Sequence, residues 1–207
     1  MALEPGLNYD KHKHCVFGLE DYGHLRQPSF ADHVLTFMIQ GLNKKFKQPI
    51  CFYFVKGTIK TLELKRCIEE VVLGILSTGL NIVATVSDQG ATNVAAINIL
   101  MKEAKQNSEM HEGYFIKKHK LIHVYDPPHL LKSIRNNLLT KNVTFTWRGE
   151  QQMAKWDYFV NTYEIDKTYE DLELRNLAKI TEAHVYPNKI KKMKVALASQ
   201  IFSHKVA

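Results

Sequence analysis

The stretch Asn81 to Met101, NIVATVSDQGATNVAAINILM, decides how the rest of the chain folds. Leu80 to Val86 is an almost unbroken run of β-branched and apolar residues, which is typical of a strand buried on both faces. After the turn Ser87 to Gly90, apolar residues recur at helical spacing, so a helix is predicted. This pattern places Asp88 at the carboxyl end of a central strand, where ligands and chemistry collect in open α/β sheets.

Asp88 has two interpretations on local pattern alone. An aspartate just before a helix often accepts a hydrogen bond from an orphan backbone N–H, as the N-cap residue. The alternative is a carboxylate that is presented at the strand end for chemistry. The local pattern favours the cap, so the catalytic interpretation needs support from elsewhere in the chain.

A meander is predicted before this stretch. Residues 1 to 12 are expected to be irregular, and Lys13 to Leu19 is expected to form a short strand. His33 to Leu42 and Ile50 to Val55 are apolar runs on either side of a polar turn, which predicts an antiparallel hairpin.

Helices then alternate with strands. Apolar spacing predicts a helix over Leu64 to Leu76, with Gly79 as the left-handed residue at its end. Leu121 to Tyr125 is predicted to be a strand, and Asp126 is a plausible cap for a helix that begins at Pro127. The order β-β-β-α-β-α-β-α over residues 13 to 139 predicts an α/β fold with a mixed sheet flanked by helices.

The last third of the chain has a different texture. Phe145 to Trp147 is predicted to be a brief strand, and Gln151 to Tyr163 and Ile190 to Val206 are predicted to be amphipathic helices. We therefore expect one domain over residues 1–142 and the beginning of a helical domain over residues 143–207.

The charge of the chain suits a polyanionic partner. The formal net charge is +7, and residues 114 to 150 hold seven Lys/Arg against two acids. A lysine-rich surface more often serves solubility, so charge alone does not assign a nucleic-acid partner. No apolar run is long enough to cross a membrane, and the three separated cysteines indicate a reducing compartment rather than a disulfide framework.

Several enzyme classes lose support because their motifs are missing from the sequence. There is no GxxxxGK[ST], GxGxxG, HExxH or GxSxG motif. Surface positions are expected for seven of the ten histidines, because the first four of them alternate with polar residues and the last three lie in or beside a loop without a paired thiol or carboxylate at ligand spacing. These histidines are His12, His14, His24, His33, His111, His119 and His123.

Six blocks of sequence, in this order, resemble the P-element-like transposases, including the THAP-domain transposases. They are HVLTFMIQGL, KQPICFYFVKG, GLNIVATVSDQGATN, YDPPHLLKSIRNNLL, the stretch Lys179 to Val185, and KMKVALASQIFSH. The SDQG turn and the DPPHLLK-x-x-RNN block are the specific parts. The resemblance implies an RNase H-like fold and a DNA transposase in which three carboxylates hold two Mg²⁺ ions, a geometry suited to in-line phosphoryl transfer.

The resemblance places one of the three acids in this chain. Asp88 matches the second acid of the family, which raises its catalytic and metal-binding interpretation above the cap. The first acid is expected upstream of residue 1, on a strand that is apparently missing, and the third beyond residue 207. Asp10 is the nearest substitute for the first acid, but it is expected to be a solvated loop residue. We therefore expect a fragment that does not cut DNA alone.

The remaining expectations also follow from the resemblance. Lys132 and Arg135 could line a DNA path or could simply be exposed on a helix, and neither interpretation is favoured. Transposon-end DNA, a nuclear location and a possible homo-oligomer are implied for the full-length form, with no membrane association. GTP is implied only for the full-length relative, through a helical insertion domain that begins near residue 145.

Two other functions remain open. The first is a domesticated, non-catalytic module that keeps the RNase H-like fold and binds DNA or protein through its basic second half. The second is a small nucleoside-phosphate enzyme, which the lack of a phosphate-cradling loop disfavours.

Overall fold

The computed structural model describes residues 2–107, 112–169, 174–204 and 206. Its backbone forms eleven strands and six α-helices in these residues, and they alternate in the mixed α/β manner predicted from the sequence. The strands are β1 (Asn8–Asp10), β2 (Cys15–Phe17), β3 (Leu19–Asp21), β4 (Arg26–Phe30), β5 (His33–Gln40), β6 (Lys47–Val55), β7 (Ala84–Ser87), β8 (Tyr114–Ile116), β9 (His119–Tyr125), β10 (Val143–Trp147) and β11 (Glu150–Ala154). The helices are α1 (Thr61–Ser77), α2 (Ala91–Asn107), α3 (Pro127–Leu138), α4 (Trp156–Lys167), α5 (Glu182–Val185) and α6 (Val195–Ile201).

The chain divides into two compact units. The first comprises residues 1–86 and 90–124, and the second comprises residues 87–89 and 125–207. The main division after residue 124 lies earlier in the chain than the boundary expected at residue 142. It assigns α3 to the second unit, where α3 contacts α6.

An antiparallel sheet with the order β4-β3-β6-β5 lies in the first unit. Its longest pairing is the predicted hairpin, β5 with β6, which runs from His33 opposite Val55 to Gln40 opposite Lys47. The strands β1 and β4 were not predicted from the sequence. One strand, Lys13 to Leu19, was predicted where the structure has β2 and the start of β3. Gly18 separates those two strands at a φ of +110°, a conformation that L side chains rarely adopt.

A second sheet has the order β7-β9-β8. Ile122 N donates to Val83 O at 3.1 Å and Asp126 N donates to Ser87 O at 2.9 Å. Because both steps are four residues long, β7 and β9 run in the same direction. The strand β8 lies antiparallel to β9 and was not predicted.

The strand β7 differs from its prediction in length and burial. It begins at Ala84 rather than Leu80, and it lies at one end of its sheet rather than at the centre. Its side chains alternate between exposed and half-buried, and Val86 is 64% exposed. The expected burial on both faces is wrong because an apolar run cannot show whether a second layer covers it.

The helices α1 and α2 pack against each other in the first unit. Val72 of α1 joins Ile97 and Leu100 of α2 in one buried cluster. The predicted end of α1 is confirmed, since Gly79 has a φ of +84° and donates to Leu76 O. The apolar face predicted for α2 is likewise the buried one, with Leu100 only 1% exposed.

The second unit has its own apolar core. Trp156 and Tyr163 of α4 pack there with Val185 of α5 and Ile201 of α6. The indole N–H of Trp156 donates to Val185 O at 2.7 Å, which satisfies the one polar atom of that buried ring.

Two helix predictions in this unit are wrong in extent. Residues 151–154, the start of the predicted helix Gln151 to Tyr163, belong instead to β11, which pairs with β10. The turn Arg148-Gly149 explains this difference, because both residues have positive φ, at 52° and 85°, as a two-residue hairpin loop requires. The predicted helix Ile190 to Val206 is helical only over Val195–Ile201.

Candidate functional site at the carboxyl ends of β7 and β9

Asp88 lies directly after the last residue of β7 and is exposed. The hydroxyl of Ser87 donates to the backbone carbonyl of Asp88 at 2.9 Å, which helps to fix the turn. The helix α2 begins at Ala91, and the carbonyl of Gly90 accepts its first helical hydrogen bond, from Val94 N. The N-cap position therefore belongs to Gly90, two residues beyond Asp88.

Asp126 holds the equivalent position on the neighbouring strand. Its backbone N–H donates to Ser87 O, so Asp88 and Asp126 follow adjacent parallel strands at the same sheet edge. The Asp126 carboxylate accepts from His129 N at 3.3 Å and pairs with His129 Nδ1 at 2.5 Å. The predicted cap of α3 is thus confirmed, with Pro127 at its first position.

Side-chain hydrogen bonds connect the three strands of this sheet. The hydroxyl of Thr85 in β7 lies 3.0 Å from His123 Nδ1 in β9 and 2.9 Å from the Tyr114 hydroxyl in β8. Burial lowers the pKa of His123, and it raises the pKa of Tyr114 despite the opposing hydrogen bond with Thr85.

His119 and His123 were expected at the surface, and this expectation is wrong because both residues are half-buried. Side chains alternate between the two faces of β9, so His123 lies on the same face as the buried Leu121 and contacts Thr85. This two-residue period could have been read from the sequence. His111, which received the same expectation, lies outside the described residues.

Lys132 and Arg135 lie on α3 but have different surroundings. Lys132 is half-buried, whereas Arg135 is fully buried, with 0% of its surface exposed. The guanidinium of Arg135 donates to Lys192 O at 2.6 Å and to Lys194 O at 3.2 Å, and also to the Asn136 side-chain oxygen. The expectation that Arg135 is exposed is wrong, and its donors are engaged inside the second unit.

Asp10 is the last residue of β1, which pairs with β2 in a separate two-stranded sheet. Its carboxylate accepts hydrogen bonds from His12 N at 2.9 Å and Lys13 N at 3.1 Å. These bonds close the turn between β1 and β2, and Asp10 is the last, half-buried residue of β1 rather than the solvated loop residue that was expected.

Comparison with known proteins agrees with the resemblance seen in the sequence. Residues 1–101 match the model of the TNP-like, RNase H N-terminal domain, and residues 128–207 match the TNP-like, GTP-binding insertion domain. The whole chain is 28% identical, over 208 residues, to the Transposable element P transposase of Drosophila melanogaster.

The chain belongs to the P-element-like transposase family. It covers 24% of the length of that curated relative, so it spans about a quarter of it. The fold also matches a chain of a solved structure, the Drosophila P element transposase strand transfer complex. The TM-score is 0.67 at 24% identity, over 99% of this chain and 41% of the other, which supports the RNase H-like fold class.

The metal centre expected of this transposase family requires several oxygen donors at the strand ends. Mg²⁺ prefers several carboxylate and water oxygens, and a two-metal centre needs more than one protein carboxylate. Asp126 is occupied as a cap, and no cluster of three or more His, Cys, Asp or Glu is found within the described ranges. Asp88 fits as one ligand, but the described residues do not form a complete site.

In the same residues, no helix is long and apolar enough to cross a membrane.

Proposed function

We propose that this chain is the RNase H-like core and the start of the GTP-binding insertion of a P-element-type DNA transposase. In the full-length form, Asp88 would be one of the carboxylates of an Mg²⁺-dependent centre that cuts and joins DNA. Its exposed position after β7, beside the parallel strand β9, is the observation that carries the proposal.

The partners proposed for the full-length form are the transposon ends in DNA, and its proposed location is the nucleus. Binding of GTP is proposed only for the complete insertion domain. The chain by itself is proposed to be inactive in cleavage, because the described residues contain no group of three or more His, Cys, Asp or Glu that could hold a metal ion.

The test uses the complete gene product that contains this chain. Asp88→Asn should lower Mg²⁺-dependent nicking of transposon-end DNA at least about 100-fold, since loss of a residue that only supports a metal ligand already costs about 10- to 100-fold. Asp157→Asn is the matched control, because it removes an exposed carboxylate from the first turn of α4. Equal activity of the Asp88 variant and the unaltered protein would remove Asp88 from the site.

A second candidate is a non-catalytic module that keeps the fold and binds DNA through its basic second unit. Lys191, Lys192 and Lys194 are exposed there, and residues 186–207 contain no acid. Binding by such a surface should weaken steeply between about 50 and 200 mM salt, because released counterions drive it. An affinity for duplex DNA that does not change with salt would exclude this candidate.

A further inference from the structure

The hairpin of β10 and β11 extends an unusual surface into solvent. Its register runs from Val143 opposite Ala154 to Trp147 opposite Glu150, and every residue of the hairpin except Ala154 is exposed. A two-stranded hairpin alone is only marginally stable in water, since it has no layer to bury its side chains. The exposed side chains are therefore the feature that requires an explanation.

The β10 half of one hairpin face is apolar, and Ala154, Gln152 and Glu150 lie opposite it on β11. Val143, Phe145 and Trp147 alternate along β10 and share this face. They are 41%, 44% and 59% exposed, respectively. Exposed apolar side chains that are contiguous mark interaction sites more often than single ones do.

The charges around this face are mostly positive. Lys141 precedes the hairpin, Arg148 forms its tip and Lys155 follows it, whereas Glu150 is the only acid between residues 141 and 155. The Arg148 guanidinium carbon lies 5.9 Å from the centre of the Trp147 ring. Two aromatic rings thus lie between cations, a combination that also occurs on surfaces that bind single-stranded nucleic acids.

We propose that the hairpin binds single-stranded DNA, with bases stacking on Phe145 and Trp147 and with phosphates contacting Lys141 and Arg148. Two residues of strand separate the rings by about 6.8 Å. This spacing is about twice the 3.4 Å rise of bases along one strand of a duplex. Bases that stay stacked in a duplex cannot reach both rings in succession, but those of an unstacked single strand can.

The charge distribution decides between this occupant and a protein. An acidic polymer complements the three cations at the base and tip of the hairpin, and bases supply flat faces for the two rings. A second copy of the chain would bring the same cations to the interface, where like charges repel. The inference rests on the DNA-handling role proposed above, but it concerns a surface other than Asp88.

The test uses the 207-residue chain and a fluorescent oligothymidylate of about 20 nucleotides, which exceeds the site size of comparable surfaces. Phe145→Ser with Trp147→Ser should weaken binding at least about 30-fold, the loss expected for two stacking contacts. Phe52→Ser is the matched control, because Phe52 of β6 is as exposed as Trp147, at 59%. Its affinity should remain unchanged.

Folding of the variants is checked through Trp156, which is 5% exposed and keeps its fluorescence when Trp147 is replaced. The single variant Trp147→Ser keeps the test decisive if the double variant unfolds, and about a 5-fold or greater loss is expected. Undiminished oligonucleotide binding by the folded variants, or no binding by the unaltered chain, would overturn the proposal.

Two further results separate this inference from its alternatives. If the double variant changes an oligomer into a monomer without loss of oligonucleotide affinity, the hairpin binds a second copy and the proposal is wrong. Asp88→Asn should leave oligonucleotide binding intact while lowering cleavage by the complete gene product at least about 100-fold. Failure of the cleavage proposal is therefore distinguishable from failure of this one.

Discussion

Replacement of Arg135 by alanine tests how the second unit is held together. The Arg135 side chain is fully buried, and its guanidinium joins α3 to the backbone carbonyls of Lys192 and Lys194. Burial lowers the pKa of Arg135, which means that the protein environment disfavours the charged form. The hydrogen bonds to the carbonyls offset that cost.

The expected loss of stability follows from these contacts. A hydrogen bond from a charged group contributes about 1.5–3 kcal/mol, and Arg135→Ala removes two such bonds to backbone carbonyls, although Lys192 O keeps a 3.5 Å bond from Asn136 Nδ2. Removal of the buried cation returns part of that free energy, so we expect a net loss of about 3 kcal/mol. Arg135→Lys should lose less, because an ammonium keeps the charge but lacks the planar fork that spans both carbonyls.

The measurement is urea unfolding followed by tryptophan fluorescence, since both tryptophans lie in the same unit as α3. Lys132→Ala is the control on the same helix, and it should change the free energy of unfolding by no more than about 0.5 kcal/mol. If Arg135→Ala costs no more than the control yet weakens DNA binding, Arg135 is a surface contact and the structural argument is refuted.

Two further predictions concern stability in each unit. Asp166 is buried, which alone would raise its pKa, but hydrogen bonds from Leu177 N and the Arg175 side chain lower the pKa overall. The ionised Asp166 side chain should therefore stabilise the folded state above about pH 4, and this stabilisation should disappear as the pH falls through the lower pKa of the folded state. In an acid titration of unfolding free energy, Asp166→Asn should lack this pH-dependent loss. In the first unit, Gly18→Ala should cost at least about 2 kcal/mol in calorimetric unfolding, because its Cβ would lie 1.8 Å from a backbone oxygen at a positive φ. Gly74→Ala in α1 is the control, because a Cβ there would meet nothing within 4 Å. This substitution should stabilise the helix by up to about 1 kcal/mol. A Gly18→Ala variant as stable as the unaltered chain would contradict the strain argument.

Local patterns in the sequence were sufficient for several elements. The β5–β6 hairpin, the end of α1 at Gly79 and the cap of α3 by Asp126 are confirmed, because each depends on residues close together in the chain. The SDQG turn also placed Asp88 after a strand and before a helix. The family resemblance carried by these blocks is confirmed by the comparisons.

The burial of particular side chains could not be read from the sequence. A lysine and an arginine three residues apart on α3 look alike in a helical pattern, but the backbone at Lys192 and Lys194 covers only Arg135. The same limit explains Val86, which looks like a core residue in an apolar run and is exposed at a sheet edge.

The amino-acid sequence by itself determined the α/β class, the main helices and the position of Asp88 at a strand end, because periodicity, caps and turns act over a few residues. Only the tertiary structure decided that the strands form separate sheets, that Arg135 is an internal donor and that residues 143–154 fold as an exposed hairpin. The separate sheets and the burial of Arg135 depend on contacts between segments far apart in the chain, and the exposure of the hairpin depends on whether another layer covers it, and no local pattern contains that information.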